Sequence, residues 1–498
     1  MIELTVAQIA DIVGGRLSGV TADEAQRTVV TGTVEFDSRA VTAGGLFLAL
    51  PGARSDGHDH AAAAVAAGAV AVLAARDVGV PAIVVDPQPG DSGAGVLEYD
   101  RDGSGAAVLA ALARLAAAVA AKLVAGGLTI IGVTGSSGKT STKDLLAAVL
   151  APLGQVIAPP GSFNNELGHP WTVLRATPDT DYLILEMSAR HPGNIAALAA
   201  IAPPQIAVVL NVGTAHLGEF GSRQAIADTK AELPQAVPAS GVVVLNADDH
   251  AVAAMADKTA ARVVRVGRNG AGDIWADQVG LDELARPRFT LHTADAQVAV
   301  QLAVHGDHQV SNALCAAAVA LECGATVEQV AAALAGAGPV SKHRMAVSTR
   351  ADGVTVINDA YNANPDSMRA GLQALAWMAR GDGAGERRRS FAVLGEMAEL
   401  GDEAISEHDR IGRLAVRLDV TRLIVVGNGR PMSAMHHGAV MEGSWGAEAT
   451  LVPDADAALA LLHDELRPGD VVLVKASNSA GLGALAERLS GQTGDVGR

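Results

Sequence analysis

Short apolar runs that end at glycine or polar positions recur along the chain, and stretches with helical spacing lie between them. From Leu128 onward the runs LTIIGV, YLILEM, IAVVLNV and GVVVLN alternate with helical segments, which predicts a parallel, doubly wound sheet. Ligands of such sheets gather outside the carboxyl ends of the strands, so the residues just after each run are the ones to inspect. A later set, VTVIND, FAVLGE, RLIVVGNG and DVVLVKAS, is separated by helical stretches at 366–380, 402–418 and 454–466 and predicts a Rossmann-like α/β unit. Ahead of both, β-like runs from Leu46 to Leu50 and Pro81 to Asp86 flank a helix-like alanine run from Ala61 to Gly68, which predicts a small α/β unit. Gly, Pro and Asp crowd residues 87–105, and punctuation returns near Gly338 and Pro339. The fold class expected is therefore α/β in three domains: a small N-terminal domain over 1–105, a central phosphate-loop domain over 106–337, and a C-terminal Rossmann-like domain over 338–498. The segment GDGAGERRR at 381–389 reads as a solvated loop.

Composition changes this picture little. A chain of 498 residues needs more than one core, and with 49% hydrophobic but only 3% aromatic residues those cores are aliphatic. The net charge of -17 excludes a nucleic-acid-coating role, which needs clustered Lys and Arg. It leaves room for small anionic substrates held by local positive groups and helix N-termini. Residues 106–125 have transmembrane length, but Arg114 and Lys122 interrupt a stretch that is mainly alanine, so a buried helix and no membrane span are expected. The start MIELTVAQIADIVGG lacks the basic, apolar pattern of an export signal, and Cys315 and Cys323 match neither disulfide nor metal spacing. Both point to the cytoplasm.

The sharpest chemistry lies in IIGVTGSSGKTSTKD, where strand, glycine loop and helix follow in the order a phosphate site needs. Gly135, Ser136, Ser137 and Gly138 allow backbone N–H groups to approach phosphates, Lys139 can neutralise charge, and the Thr140 hydroxyl can ligate magnesium. Val133 stands where the general GxxxxGK[ST] pattern has glycine. Glu186 ends one apolar run and His216 closely follows another, so both belong at the same sheet edge as the loop and could form a divalent-metal site. Taken singly, a helix-capping carboxylate and a hydrogen-bonded histidine are the preferred explanations, and the shared edge reverses that preference.

The variant TGSSGKTSTK resembles the ATP loop of the Mur ligase family. Blocks similar to that family's continue in its order: SFNNELGHP at 162–170, LEMSARHPGNI at 185–195, NVGTAHLGEFGS at 211–222, KAE at 230–232, NDAYNANPDSM at 358–368 and LGEMAELG at 394–401. The resemblance implies that residues Thr134 to Ser141 hold ATP, that Thr140, Glu186 and His216 hold magnesium, and that Lys230 becomes an oxygen ligand through carbamylation. It implies that Asn312 meets adenine, that Arg344 and Asp359 reach the ATP phosphates and ribose, and that Asn164, Asn165 and Asn362 read the peptide. EFDSRAVTAGGLFLALPG and DGHDHA look like the family's uridine-binding blocks, which brings in Asp37, Ser38, Arg39, Asp56 and His58. The implied reaction joins D-alanyl-D-alanine to UDP-N-acetylmuramoyl-tripeptide through an acyl phosphate, with Lys139 and Mg2+ offsetting charge on the transferred phosphoryl group. Lys139, Lys230, His216 and Glu186 form its implied catalytic set, and the enzyme is expected to be a monomer. Two departures stand out: Gln309 replaces the first asparagine of the adenine block, and LVKASNSAG keeps Lys475 but lacks the KGSR sequence expected there. A diaminopimelate- or lysine-adding member of the family, a folylpolyglutamate-synthase-like ligase and a phosphate-loop ATPase switch are the alternatives. The typical DNPR of the diaminopimelate-adding member is absent.

Overall fold

The computed structural model describes residues 1–87, 96–214, 217–381, 387–443 and 448–491. His216 lies outside them, as do parts of the expected linker at 87–105 and of the loop at 381–389.

Among the described residues, three large sheets carry the chain, in addition to a two-stranded antiparallel pair, Leu4–Thr5 and Val29–Val30. In the first, five strands run in the order Arg16–Ser18, Ala82–Val84, Ala69–Ala74, Gly45–Leu48, Val34–Glu35, parallel except for the outermost pair Arg16–Ser18 and Ala82–Val84. The alanine run folds as the helix Ala61–Ala66. The second sheet has nine strands, and its phosphate-loop strand Thr129–Thr134 lies between Tyr182–Glu186 and Ile206–Val209, parallel to both. Chain direction across the sheet reverses here, which opens a crevice at the carboxyl edge. All four apolar runs of this region are strands, with buried side chains on both faces as a covered parallel sheet requires. Beyond Arg262–Arg268 the sheet continues through Ile274–Leu281 into antiparallel Pro287–His292 and Gln297–Gln301, a hairpin extension that the alternating pattern does not predict. The third sheet has six strands, parallel apart from the edge strand Ala346–Thr349.

The helix Ser104–Ala125 packs its buried face, including Leu112, Leu115 and Val119, into a core shared with the first sheet and with the phosphate-loop strand. Its length and hydropathy match a membrane span, yet those leucines have no exposed surface, so its apolar face is already covered by protein. The expected boundary at 105 falls inside its first turn. The first two sheets also meet at Trp171, whose ring lies edge-on to Phe36 and whose indole N–H donates to Val34 O (2.8 Å).

Candidate active site

The phosphate loop is fixed by its backbone before any ligand arrives. Gly138 caps the helix Lys139–Leu150 with φ 83°, a conformation that glycine adopts without strain. A side chain there would also collide with Asn312, whose Oδ1 would stand 2.8 Å from the added carbon. The segment after Val209 braces the loop: Ser137 N–H donates to Asn211 Oδ1 (2.9 Å) and Gly213 N–H to Ser136 Oγ (2.9 Å). Thr134 Oγ1 donates to Met187 O (2.9 Å), tying the loop strand to the residue after Glu186.

Glu186 ends its strand opposite Val133 and is fully buried. Its Oε2 accepts from Thr140 Oγ1 (3.4 Å), Ser162 Oγ (3.2 Å) and Asn164 Nδ2 (3.2 Å), while Oε1 has no partner among the described residues. A buried carboxylate oxygen without a donor is costly unless a cation completes it. Lys139 donates to Gly135 O (2.7 Å), and burial, opposed by the attraction of Glu186, lowers its pKa to about 8. Lys230 is also buried, and desolvation together with the nearby Lys139 ammonium pushes its pKa well below the ordinary value. Among the described residues no group of three or more His, Cys, Asp or Glu is arranged to hold a metal ion, and Glu186 is the carboxylate that meets the phosphate loop.

The third sheet's loops close over this edge. Arg344 Nη2 donates to Thr140 Oγ1 (3.3 Å), and its guanidinium lies 4.2 Å over the Tyr361 ring. Asn364 caps the helix Pro365–Arg380 and sends its amide to Ser136 O (3.4 Å). Asp366 in the first turn accepts from Thr214 N–H (3.2 Å), and Glu399 pairs with Arg190 (2.9 Å). The result is a cleft of about 870 Å3 whose walls include Lys139, Thr140, Asn164, Asn165, Arg344 and Asn362.

Other sequence candidates lie elsewhere. Asn312 is buried against the loop, its amide donating to Gln309 Oε1 (2.9 Å), so the substituted Gln309 orients the asparagine. Asp359 is held by Lys475 (2.6 Å) and accepts from Met345 N–H (3.0 Å), which engages both its oxygens. Asp37 and Arg39 form a two-bond pair at the surface that, with the hydrogen bonds from Arg39, holds the Asp37 pKa at about 2; Ser38 lies between them. His58 is buried, Nδ1 on Asp56 (2.7 Å) and Nε2 accepting from Ala75 N–H (3.0 Å). None of these first-sheet residues lines the cleft. Sequence reasoning assigned no role to Ser162, Tyr361, Arg190 or Glu399. All four stood within or beside quoted blocks, but only folding reveals their partners.

Three family models match the chain: "Mur ligase family, catalytic domain" over residues 32–117, "Mur ligase middle domain" over 133–320, and "Mur ligase, glutamate ligase domain" over 343–478. A UDP-N-acetylmuramoyl-tripeptide--D-alanyl-D-alanine ligase of Mycobacterium bovis is 76% identical over 501 residues, covering 98% of each chain. A relative of the same name from Escherichia coli K12 is 35% identical over 431 residues, covering 86% of each. Among solved structures, MurF from Acinetobacter baumannii superposes with a TM-score of 0.80 at 29% identity, covering 98% of this chain and 99% of that one. A MurF ligase from Thermotoga maritima in complex with ADP gives 0.74 at 27% identity, covering 93% and 98%.

Proposed function

This chain belongs to the Mur ligase family, and from that premise we propose that it joins D-alanyl-D-alanine to UDP-N-acetylmuramoyl-tripeptide at the expense of ATP, in cytoplasmic peptidoglycan precursor synthesis. The observation that carries the reading is the direct hydrogen bond between Thr140 of the phosphate loop and Glu186, inside a cleft walled by loops of two sheets. In the proposed reaction the tripeptide carboxylate attacks the γ-phosphorus, ADP departs, and the incoming amine then displaces phosphate from the acyl phosphate.

The residues fit a magnesium ion: the Thr140 hydroxyl and the unpartnered Glu186 Oε1 are hard oxygen donors. His216 and a carbamylated Lys230 complete the proposed set; burial and the nearby Lys139 disfavour the Lys230 ammonium, and the neutral amine is the form able to combine with carbon dioxide. Bound magnesium would neutralise charge on the phosphoryl oxygens. Lys139 and Arg344 approach the same oxygens from opposite domains, and Asn312 sets the nucleotide end. Asn164, Asn165 and Asn362 supply amides for the peptide, while Asp37, Ser38, Arg39, Asp56 and His58 serve or support the uridine end. Asp359, tied to Lys475, reaches the ribose from the third domain. We assign residues 1–105 to the UDP-sugar, 106–337 to ATP and 338–498 to closure. We further propose that the chain acts as a monomer.

Phosphate release measured with each substrate omitted in turn tests the reading. Release is expected only with ATP, the UDP-tripeptide and D-alanyl-D-alanine together, and equal release without the amine would overturn it.

A further inference from the structure

One turn beyond Lys139 on the same helix, Lys143 is buried with 2% of its side chain exposed. Its ammonium donates to Pro159 O (2.9 Å) and Ser341 Oγ (3.3 Å) and pairs with Asp144 (2.5 Å). Asp144 accepts the Ser341 backbone N–H through its other oxygen (3.1 Å), so the helix grips that serine by its hydroxyl and its backbone N–H. Long cationic side chains are rarely buried this far without a fixed set of acceptors, and here each acceptor belongs to a different segment. Pro159 leads into Ser162 and Asn164, which bind Glu186. Ser341 leads into Arg344, which reaches Thr140.

The short run from Ser341 to Arg344 is strained. His343 and Met345 flank Arg344 with φ of 57° and 48°, the left-handed region that non-glycine residues avoid. Such a backbone persists only if held at both ends. Asp359 holds one end through Met345 N–H (3.0 Å), and Lys143 with Asp144 holds the other.

We propose that Lys143 is a positioning residue for the ligase reaction, acting through Asp144 and Ser341 to set Arg344 over the phosphate loop. The inference rests on the role given to Arg344 above. Methionine at this position fills the volume but removes the ammonium from Asp144 Oδ1, Pro159 O and Ser341 Oγ, leaving Asp144 only its bond from the Ser341 N–H.

The test is a double-mutant cycle on the full chain with Lys143→Met, Arg344→Ala and the pair, reading kcat and KM for each substrate alongside thermal unfolding. Expected for Lys143→Met is a fall in kcat of about tenfold to a hundredfold, the order produced by misplacing a group by about an ångström. KM for the UDP-tripeptide stays within about twofold, and the double variant falls no further than about threefold below the worse single one. Losses that multiply, or a Lys143→Met kcat within about twofold of the parent, would overturn the proposal. If Lys143→Met does not fold, Ser341→Ala and Asp144→Asn enter the same cycle with the same criteria. A parent protein without amine-dependent phosphate release sinks the ligase reading itself. A normal Arg344→Ala removes the role on which Lys143 depends. An active parent, an impaired Arg344→Ala and no coupling to Lys143 sinks the positioning role alone.

Discussion

Replacing Glu186 by glutamine separates function from stability, because the two should move in opposite directions. The side chain is fully buried, three neutral donors meet Oε2, and Oε1 has none among the described residues. Glutamine keeps the shape and an acceptor oxygen for Ser162 and Thr140, while its amide nitrogen takes the empty side. Removing an incompletely solvated charge from the interior favours the ligand-free fold by about 1 kcal/mol, the order of an unmet buried polar group. For a domain of this size that is a rise of about 2–4 °C in unfolding midpoint. Turnover should fall about 100- to 1000-fold, equivalent to about 2.7–4 kcal/mol, the usual effect of deleting one preorganised electrostatic group. Lys139 also loses the anion that supports its charge, so its pKa drops further below about 8. Coupled ADP release and ligand-free thermal unfolding on the same preparation decide the matter. A variant that keeps more than about a tenth of parental turnover, or one that melts several degrees lower, shows that Glu186 serves the fold and not the reaction.

Lys139→Ala should lose at least about 100-fold in turnover, read by the same assay, and near-normal activity refutes its role. Because the Lys139 cation is lost as pH rises through about 8, kcat/KM for ATP should decline above that value; Lys139→Arg, which stays charged, should flatten the decline even if it lowers the plateau. Lys230→Ala should be inactive with or without added bicarbonate, and carbon-13 spectra of the active parent in labelled bicarbonate should contain a carbamate signal; an active parent with unmodified Lys230 removes that step. Gly213→Ala would put a methyl group 2.0 Å from Asp366 Oδ2, so it should raise KM for ATP and lower kcat while leaving the unfolding midpoint within about 2 °C, and unchanged kinetics would mean that this seam is not part of the working enzyme.

The strands were legible because a covered parallel sheet needs uninterrupted apolar runs: LTIIGV, YLILEM and VTVIND all fold as strands ending at polar residues. The hairpin from Ile274 to Gln301 was not, since its half-exposed strands mix Arg, Thr and Gln with isolated apolar residues and continue a sheet whose earlier strands look different. The phosphate loop was legible for a local reason, its geometry being written in seven consecutive residues from Thr134 to Thr140. Glu186 was legible through the rule that parallel strands end at one edge, whereas Lys230, on the helix Arg223–Ala236, needed the fold to be brought near the loop. Tyr361 beneath Arg344, and Lys143 beneath Ser341, had no signature at all: each lies far along the chain from its partner, and an aromatic or a lysine in a helix or loop has many commoner explanations.

The contacts between the central and third sheets differ on the two sides of the cleft, and the difference bears on how the site could be assembled. On the far side, Ala285 of the hairpin extension is buried in the third sheet's core beside Met345 and Leu375, and Trp377 donates to Asp282 O (2.9 Å). Apolar burial of that kind has no substitute in water. On the cleft side the joints are Asn364 to Ser136, Asp366 to Thr214, Arg190 to Glu399, and the glycine pair Gly218 and Gly401, whose backbones approach too closely for a side chain on either. Each polar joint exchanges for water at a net cost of only about 0.5–1.5 kcal/mol, and the glycines oppose separation with little surface. A rotation that keeps Ala285 and Trp377 seated while these polar joints open would therefore part Asn364, Asp366 and Glu399 from the central sheet, while Ser341, gripped by Lys143 and Asp144, keeps Arg344 near Thr140. ATP would then meet Lys139, Thr140 and Arg344 already gathered, and closure of the Asn364 and Asp366 joints would shut the cleft around it.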